Sequence, residues 1–218
     1  MLLCCTYTKA QVAGDVISVK ESETGKYFYS KEIPDDVFRR MQGKSFPKGC
    51  TVKRSDLRYL RVLHRNLDGQ TQVGEMVCNK AISSDLIDIF RSLYDARYPI
   101  ERMVLIDDYG ADDGRSMAAN NTSCFNFRFI TGSQTKVSKH GMGMAVDLNP
   151  LYNPYVKGNK VEPAEGRPYA FSRNPPAGEK WASLIINRSS LPCRLFVKHG
   201  FRWGGAWKSL KDYQHFEK

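Results

Sequence analysis

The most informative residues of this chain are two histidines and two aspartates in its last third. His140 and Asp147 lie within residues 138–147, and Asp212 and His215 follow much later. Two imidazoles and a carboxylate can hold one zinc ion, and a catalytic zinc keeps three protein ligands and one open position for water. Water in that position has its pKa lowered to about 7, which makes it a nucleophile at neutral pH. The sequence therefore predicts a hydrolytic metal site with His140, Asp147 and His215 as its ligands.

The spacing of the first two ligands requires a turn. His140 and Asp147 are seven residues apart, an odd separation that would point their side chains to opposite faces of one continuous strand. Gly141 and Gly143 lie between them and can adopt backbone angles that other residues avoid. A turn there lets both side chains converge. The apolar residues around Asp147 predict a short buried strand, in which a carboxylate needs a partner or a metal.

The other two candidates are Asp212 and His215, three residues apart, which share a face in a turn or a helical turn. His215 can thus bind the metal while Asp212 reaches the bound water as general base and later as general acid. The oxygen ligand suits zinc, although two histidines and a carboxylate also hold iron or manganese. His64, in a basic strand-like stretch, and His199, at a predicted helix end, are predicted to be structural.

The pattern SxHxxGxAxD followed by DxxH resembles the M15 family of zinc peptidases. That family includes D-alanyl-D-alanine carboxypeptidases, vancomycin-resistance carboxypeptidases and L-alanyl-D-glutamate endopeptidases of phage lysins. Further matching segments, in the expected order, are CFNFR at 124–128, NPLYNPY at 149–155 and GFRWGGAWK at 200–208. The resemblance extends over roughly residues 80–218. Both the patterning and the resemblance imply an α+β fold in which a small, mainly antiparallel sheet carries the zinc site and helices pack on one side.

The resemblance implies the same three zinc ligands and gives the catalytic carboxylate to Asp212. Arg128 corresponds to the family arginine that holds a substrate carboxylate or polarises the scissile carbonyl. Its rigid, permanently charged guanidinium suits that role. Arg128 lies between Phe127 and Phe129 in an apolar run, where the cost of burying a charge calls for a functional reason. Outer hydrogen-bonding or substrate-contacting positions are predicted for Ser138, Asn126, Trp203 and Ala206.

Ala206 is a departure from the family pattern, because relatives with a WGGxW segment commonly carry Asp there. We expect the Ala206 side chain to lie close to the metal cleft, where a carboxylate would be a plausible partner for a ligand histidine or for substrate. Its absence motivates an alternative, a non-catalytic cell-wall-binding module that retains the metal fold. Asp212 argues against that alternative, since a purely structural zinc does not need this carboxylate.

The remaining residues form the elements that position the site. Hydrophobic patterning predicts helices over residues 33–41, about 84–97 and 191–199. It predicts strands over residues 57–67, 72–78 and 102–106, the first two joined by a turn at Asp68 and Gly69. Residues 107–123 and 155–179 are predicted to be loops, the second forming a wall or lid of the cleft. Residues 1–30 are predicted to be an extended arm, and residues 31–218 a single M15-like peptidase domain.

The amino-acid composition limits which class of protein this can be and which partners it can bind. The apolar content of 41% and charged content of 26% in 218 residues are typical of a soluble globular protein, and no apolar run is long enough to span a membrane. The net charge of +10 favours an anionic partner. Lysine and arginine are spread along the chain without a nucleic-acid-binding motif. This charge is compatible with the peptidoglycan peptide that the resemblance implies as partner, and a nucleic acid is not predicted. The chain is expected to be a monomer.

The cysteines and the N-terminal residues bear on the compartment. The six cysteines include no CxxC pair, which disfavours a structural zinc site of that type. Residues 1–5 are too short an apolar stretch for a signal sequence, so they suggest a trimmed leader or a lipoprotein start. The substrate itself predicts an extracytoplasmic location, that is periplasm, cell envelope or secreted. The predicted function is zinc-dependent hydrolysis of peptidoglycan stem peptides, at a terminal D,D bond or at the internal L-Ala–D-Glu bond.

Overall fold

The computed structural model describes residues 11–130, 132–171, 173, 175 and 178–218. Within these residues the α-helices are Asp35–Met41 (α1), Ser83–Asp95 (α2), Asp113–Ala118 (α3), Arg167–Ala170 (α4) and Leu191–Lys198 (α5). The strands are Tyr29–Lys31 (β1), Leu57–Arg65 (β2), Thr71–Asn79 (β3), Ala145–Asp147 (β4), Tyr155–Lys157 (β5), Lys160–Glu162 (β6), Arg202–Trp203 (β7), Lys211–Asp212 (β8) and His215–Glu217 (β9). No helix in this part of the chain has the length and apolar character needed to cross a membrane.

The predicted α+β class is confirmed, but the described strands form three small sheets where one was expected. The strand orders are β1–β2–β3, β4–β9–β7 and β6–β5–β8, and all the pairings between these strands are antiparallel. Outside the β2–β3 hairpin each strand has only two or three residues. Such short strands offer few ladder hydrogen bonds, so turns and loops divide the sheet into separate pieces.

The longest strands form the predicted hairpin. Strands β2 and β3 pair from Leu57 with Asn79 to Arg65 with Thr71. Their connection contains Gly69, whose φ of 74° lies in the left-handed region that glycine adopts without steric cost. The hairpin turn predicted from the sequence is therefore confirmed.

Helices α2 and α5 connect this hairpin to the sheet that carries the candidate site. The predicted apolar stripe of α2 is confirmed, because all its members are buried: Leu86, Ile89, Phe90, Leu93 and Tyr94. Phe90 packs edge-on against Phe196 of α5, and Phe196 stacks on Phe216 of β9 with ring centroids 4.2 Å apart. Burial of this much apolar surface is the dominant stabilising term in folding. The packing of Phe216 in the hydrophobic core therefore holds strand β9 in place.

Residues 102–106 do not form the predicted strand. Met103 and Leu105 are buried, but the segment makes only the isolated bridge between Arg102 and Asn121, and Ile106 already begins a 3₁₀ helix. The Asn121 side chain accepts from the backbone N–H of Val104 at 2.9 Å and donates to its carbonyl at 3.1 Å. A side-chain amide thus satisfies the backbone groups that a neighbouring strand would otherwise bind.

The two predicted loops also contain regular structure. Residues 107–123 include the end of a 3₁₀ helix and all of α3, which begins after Asp112 because that carboxylate accepts from the Arg115 N–H at 2.9 Å. Residues 155–179 contain β5, β6 and α4. The arm predicted over residues 1–30 lies partly outside the described residues. Its described part makes a bridge from Val16 to Gln72 and a 3₁₀ helix over Glu21–Tyr27.

Candidate metal centre

Three ligand atoms converge where β4 and β9 pair. Asp147 lies directly opposite His215 in the ladder, and the turn before β4 brings His140 beside them. His140 Nε2 lies 3.2 Å from His215 Nδ1 and 3.2 Å from Asp147 Oδ2, and His215 Nδ1 lies 3.1 Å from Asp147 Oδ1. Tetrahedral zinc with bonds of about 2.0–2.1 Å places its ligand atoms about 3.3 Å apart. The donor types and their spacing therefore fit one such ion.

The turn predicted between His140 and Asp147 is present and is held by its own hydrogen bonds. The backbone N–H of Gly141 donates to Ser138 Oγ at 2.9 Å, and that of Gly143 donates to the His140 carbonyl at 2.9 Å. Among the described contacts Ser138 thus bonds the turn itself and not the His140 ring. Gly143 has a φ of 69°, and its carbonyl accepts from the Asn79 N–H at 2.8 Å. The turn is therefore attached to the end of β3.

We expect Gly143→Ala to lower the melting temperature by about 5 °C or more, because a non-glycine residue is strained in the left-handed region. Its Cβ would also lie 2.7 Å from the backbone nitrogen of Asn79. Gly158→Ala is the matched control, since Gly158 has a φ of 56° but nothing within 4 Å of an added Cβ. Differential scanning calorimetry of both variants measures the difference. Equal losses would mean that the close approach at Gly143 is unimportant.

Outer hydrogen bonds fix which nitrogen of each imidazole is free to bind a metal. His140 Nδ1 lies 2.8 Å from the Cys124 carbonyl oxygen, which can only accept, so Nδ1 carries the proton and Nε2 is free. His215 Nε2 lies 3.3 Å from Glu217 Oε2, which leaves Nδ1 free. Such partners orient ligand histidines and raise their basicity. Glu217 was not predicted, although residues two apart on a strand share a face and that spacing from His215 was the available signal.

Replacing Glu217 by Gln should lower zinc affinity by about 10-fold, the lower end of the effect of removing an outer partner of a ligand histidine. The amide keeps the shape of the side chain but removes the negative charge that faces His215. Competition with a chromogenic zinc chelator measures the affinity. Arg202→Gln is the control, because Arg202 lies 2.7 Å from Glu217 on the exposed side and does not contact the imidazoles in the described contacts. An unchanged zinc affinity in Glu217→Gln would show that Glu217 does not support His215 as a zinc ligand.

The three ligand side chains form a buried, charged cluster. Burial alone would raise the pKa of Asp147, but His140 and His215 outweigh it and hold that pKa well below its ordinary value. Burial lowers the pKa of His215, whereas its hydrogen bonds to Asp147 and Glu217 raise it to about 10. A buried carboxylate in this setting needs a positive charge beside it. A divalent cation can supply that charge in place of a proton.

Asp212 lies in β8 and lines the same cleft as the three ligands. Its Oδ1 is buried and has no hydrogen-bond partner among the described residues. Burial, with the nearby charge of Asp147, raises the pKa of Asp212 to about 6, although His215 and His140 act in the opposite direction. A carboxylate with a pKa near neutrality can both take and return a proton at neutral pH.

The cleft around these groups has a volume of about 750 Å³. Its walls come from α3, from the turn at His140 and from residues 160–165, so the predicted wall after the ligand strand is present. Arg128 lies in this lining and pairs with Asp113 of α3 at 3.0 Å. The Asn126 amide donates to the same carboxylate at 2.9 Å. Asp113 therefore organises the predicted Arg128 and Asn126, and nothing in the sequence pattern singled it out.

Trp203 and Ala206 are not brought into the cleft. Ala206 is exposed, and both residues line a separate groove beside α5. The Trp203 indole N–H donates to the Tyr213 carbonyl at 2.9 Å. The Ala206 side chain therefore does not line the cleft, although its 3₁₀ helix over Gly204–Ala206 lies just before β8. The aromatic ring next to the site is that of Trp207, whose centroid lies 5.4 Å from that of His215.

The other two histidines lie apart from the site, as predicted. His64 is buried in β2 with Nδ1 2.7 Å from the Ile100 carbonyl oxygen. His199 lies at the C-terminal end of α5 with Nδ1 3.2 Å from Asp85 Oδ1. The four cysteines within the described residues are free. Cys4 and Cys5 lie outside those residues.

Comparison with known families gives one match, to the C-terminal part of the chain. Residues 131–218 match a family model of M15 peptidases that is described as D-alanyl-D-alanine carboxypeptidase. No solved structure matches the chain. The matched segment contains all three candidate ligands and Asp212, whereas Arg128 precedes it. The resemblance to M15 peptidases is thereby confirmed over these residues, and the match supports a hydrolase that acts on peptides.

Proposed function

We propose that this chain, on the strength of that match, is a zinc-dependent peptidase that hydrolyses peptidoglycan stem peptides outside the cytoplasm. The bond cleaved is a terminal D,D bond or the internal L-Ala–D-Glu bond, and the active form is a monomer. The observation that carries the proposal is one cleft containing three converging ligand atoms and the unpartnered Oδ1 of Asp212. A site with only a structural metal does not need that carboxylate.

The ligands of the proposed zinc are His140 Nε2, His215 Nδ1 and a carboxylate oxygen of Asp147. When bound, zinc supplies a Lewis acid that polarises a carbonyl oxygen and lowers the pKa of water. The hydrogen bonds to Cys124 and Glu217 keep the two imidazoles in the required tautomers. The Asp147 carboxylate is ionised and ready to bind a cation, because its pKa is held low.

Asp212 moves the proton. Its carboxylate takes the proton from the attacking water and then delivers it to the nitrogen of the scissile peptide as the C–N bond breaks. Burial favours this exchange, since it raises the pKa of the carboxyl to about 6 and keeps it close to the operating range.

Arg128 holds negative charge on the substrate. Its guanidinium lines the cleft and is oriented by Asp113, so it can bind a substrate carboxylate or stabilise charge on the carbonyl oxygen in the transition state. Ala206 faces another groove, so the missing family carboxylate leaves the residues of the cleft itself complete. This placement removes the motive for the alternative of a non-catalytic wall-binding module.

The deciding experiment is digestion of purified peptidoglycan by the zinc-loaded protein, with the released fragments identified by mass spectrometry. Loss of terminal D-alanine identifies the D,D activity, and new peptides that begin with D-glutamate identify the endopeptidase activity. Asp212→Asn serves as the matched inactive protein. Binding to the wall without release of fragments would favour the non-catalytic module. The absence of both binding and release would overturn the proposal.

A further inference from the structure

The groove beside α5 is separate from the metal cleft and has no part in the proposed reaction. Its volume of about 540 Å³ lies within the range of small-molecule sites. Its floor consists of apolar and aromatic side chains: Cys193, Val197, Phe201, Trp203, Ala206 and Trp207. Val197 is 53% exposed, so the apolar surface continues from the groove onto the exposed side of α5.

The rim of the groove is cationic. Its charged residues are Arg188, Arg194 and Arg202, and among the described residues that line the groove none is acidic. Arg202 pairs with Glu217 at 2.7 Å. Arg188 and Arg194 are exposed and have no carboxylate partner within the described part of the chain, and Arg194 donates only to the Ser189 carbonyl. Two positive charges of the rim are therefore not neutralised by the protein.

The hydrogen-bonding character of the lining side chains narrows the choice of ligand. Arginine and tryptophan only donate, and the Cys193 thiol is a weak acceptor. The Trp203 N–H is already used by the Tyr213 carbonyl. A peptide or a sugar bound here would bury N–H or hydroxyl donors against side chains that cannot accept from them, which is unfavourable. A hydrocarbon chain has no donor to satisfy, and an anionic head group at its end accepts hydrogen bonds from the arginines.

The surroundings of the groove favour a chain that belongs to a membrane. The groove is open on one side, so a free chain in it would remain partly in contact with water, whereas neighbouring chains of a bilayer would cover it. Arg194 lies three residues before the exposed Val197, on the same side of α5, and Lys198 follows it. Cations around exposed apolar residues are typical of segments that bind anionic lipid surfaces. The net charge of +10 acts in the same direction.

We propose that the groove beside α5 is a docking site for an anionic phospholipid at a membrane surface. The acyl chain lies along Val197, Phe201 and Trp207, and the phosphate of the head group pairs with Arg188 and Arg194. Docking retains the protein at the membrane surface without a spanning helix. The inference does not depend on the proposed peptidase function, because none of these residues is a candidate metal ligand or lines the metal cleft.

The test is binding of the full chain to vesicles at physiological salt, measured by co-sedimentation. One set of vesicles contains phosphatidylglycerol and phosphatidylcholine in equal amounts, and the other contains phosphatidylcholine alone. The double variant Arg188→Gln/Arg194→Gln removes two charges of the rim, and Ala206→Asp adds a carboxylate to the exposed lining. The matched control is Arg39→Gln/Lys48→Gln, which loses the same charge at exposed positions on and after α1.

The parent protein should bind the vesicles that contain phosphatidylglycerol and not those of phosphatidylcholine alone. The double arginine variant should bind about 10–30-fold more weakly, because each cation beside an anionic surface contributes a factor of about 5. Ala206→Asp should bind about 5-fold more weakly, since its carboxylate faces the same head group. The control should bind within about 2-fold of the parent, and all melting temperatures should be similar because the replaced side chains are exposed.

Equal losses of binding in the double arginine variant and the control would show a general attraction of charge, and would overturn the assignment of the groove. A folded parent that does not bind the anionic vesicles would overturn it as well. Calorimetry with sodium dodecanoate tests the other occupant: binding of this free acid without binding to vesicles would make the groove a fatty-acid site and overturn the membrane proposal. A parent that shows the expected vesicle binding but does not cleave peptidoglycan would support the inference while the proposed function fails.

Discussion

Asp212→Asn should lower the turnover number for a stem peptide by about 100-fold or more, the scale expected when a general base is lost. Asparagine has nearly the same shape but cannot take a proton. The fold should not suffer, because Oδ1 makes no hydrogen bond within the described residues. Steady-state kinetics give the turnover number, and elemental analysis of the same sample shows whether zinc is retained.

The matched control for this variant is Asp95→Asn, at the exposed end of α2, which should leave turnover unchanged. A folded Asp212→Asn protein with zinc and near-normal turnover would move the base role to another carboxylate of the cleft. Asp113 and Glu165 line it as well and would be the next candidates.

His140→Ala and His215→Ala should each abolish stoichiometric zinc binding and with it peptidase activity. Each change removes one of three ligands, so we expect the zinc affinity to fall by more than about 100-fold. The loss of a residue that only hydrogen-bonds to a ligand has a smaller effect, about 10–100-fold. The fold should persist without metal, since Phe216 stacks on Phe196 directly beneath the site. Inductively coupled plasma mass spectrometry gives the zinc content, and circular dichroism reports the fold.

The chain provides its own control for that experiment. His199 caps α5 and contacts Asp85, so His199→Ala should retain zinc while losing a little stability. If His140→Ala and His215→Ala kept as much zinc as His199→Ala, the ligand assignment would be wrong.

Much of the site could be predicted from sequence because residue type and spacing alone indicated it. Metal-ligand chemistry singled out His140, Asp147 and His215, whose ligand atoms the structure brings together, and the glycines between the first two predicted the turn that is present. The β2–β3 hairpin and α2 followed from alternation and helical periodicity, which are local properties. None of these predictions required knowledge of which strand pairs with which.

The features that were missed depend on such pairing. Glu217 gains its role only because β9 lies against β4 in one register, and Asp113 because α3 lies beside Arg128. The strand predicted at residues 102–106 failed because Asn121 bonds the backbone of Val104, a competition that apolar patterning does not report. Ala206 was misplaced because the turn after Trp203 faces the groove beside α5.

The central position of β9 in its sheet has a consequence for the order of events during synthesis. Strand β9 lies between β4 and β7 and brings both His215 and the outer partner Glu217. Asp147 and His140 are made long before, yet they remain an incomplete ligand pair until β9 leaves the ribosome and docks on the core. Under the proposed function the metal site is therefore complete only after β9 has docked, and a nascent chain that stops short of residue 215 has a sheet without its middle strand.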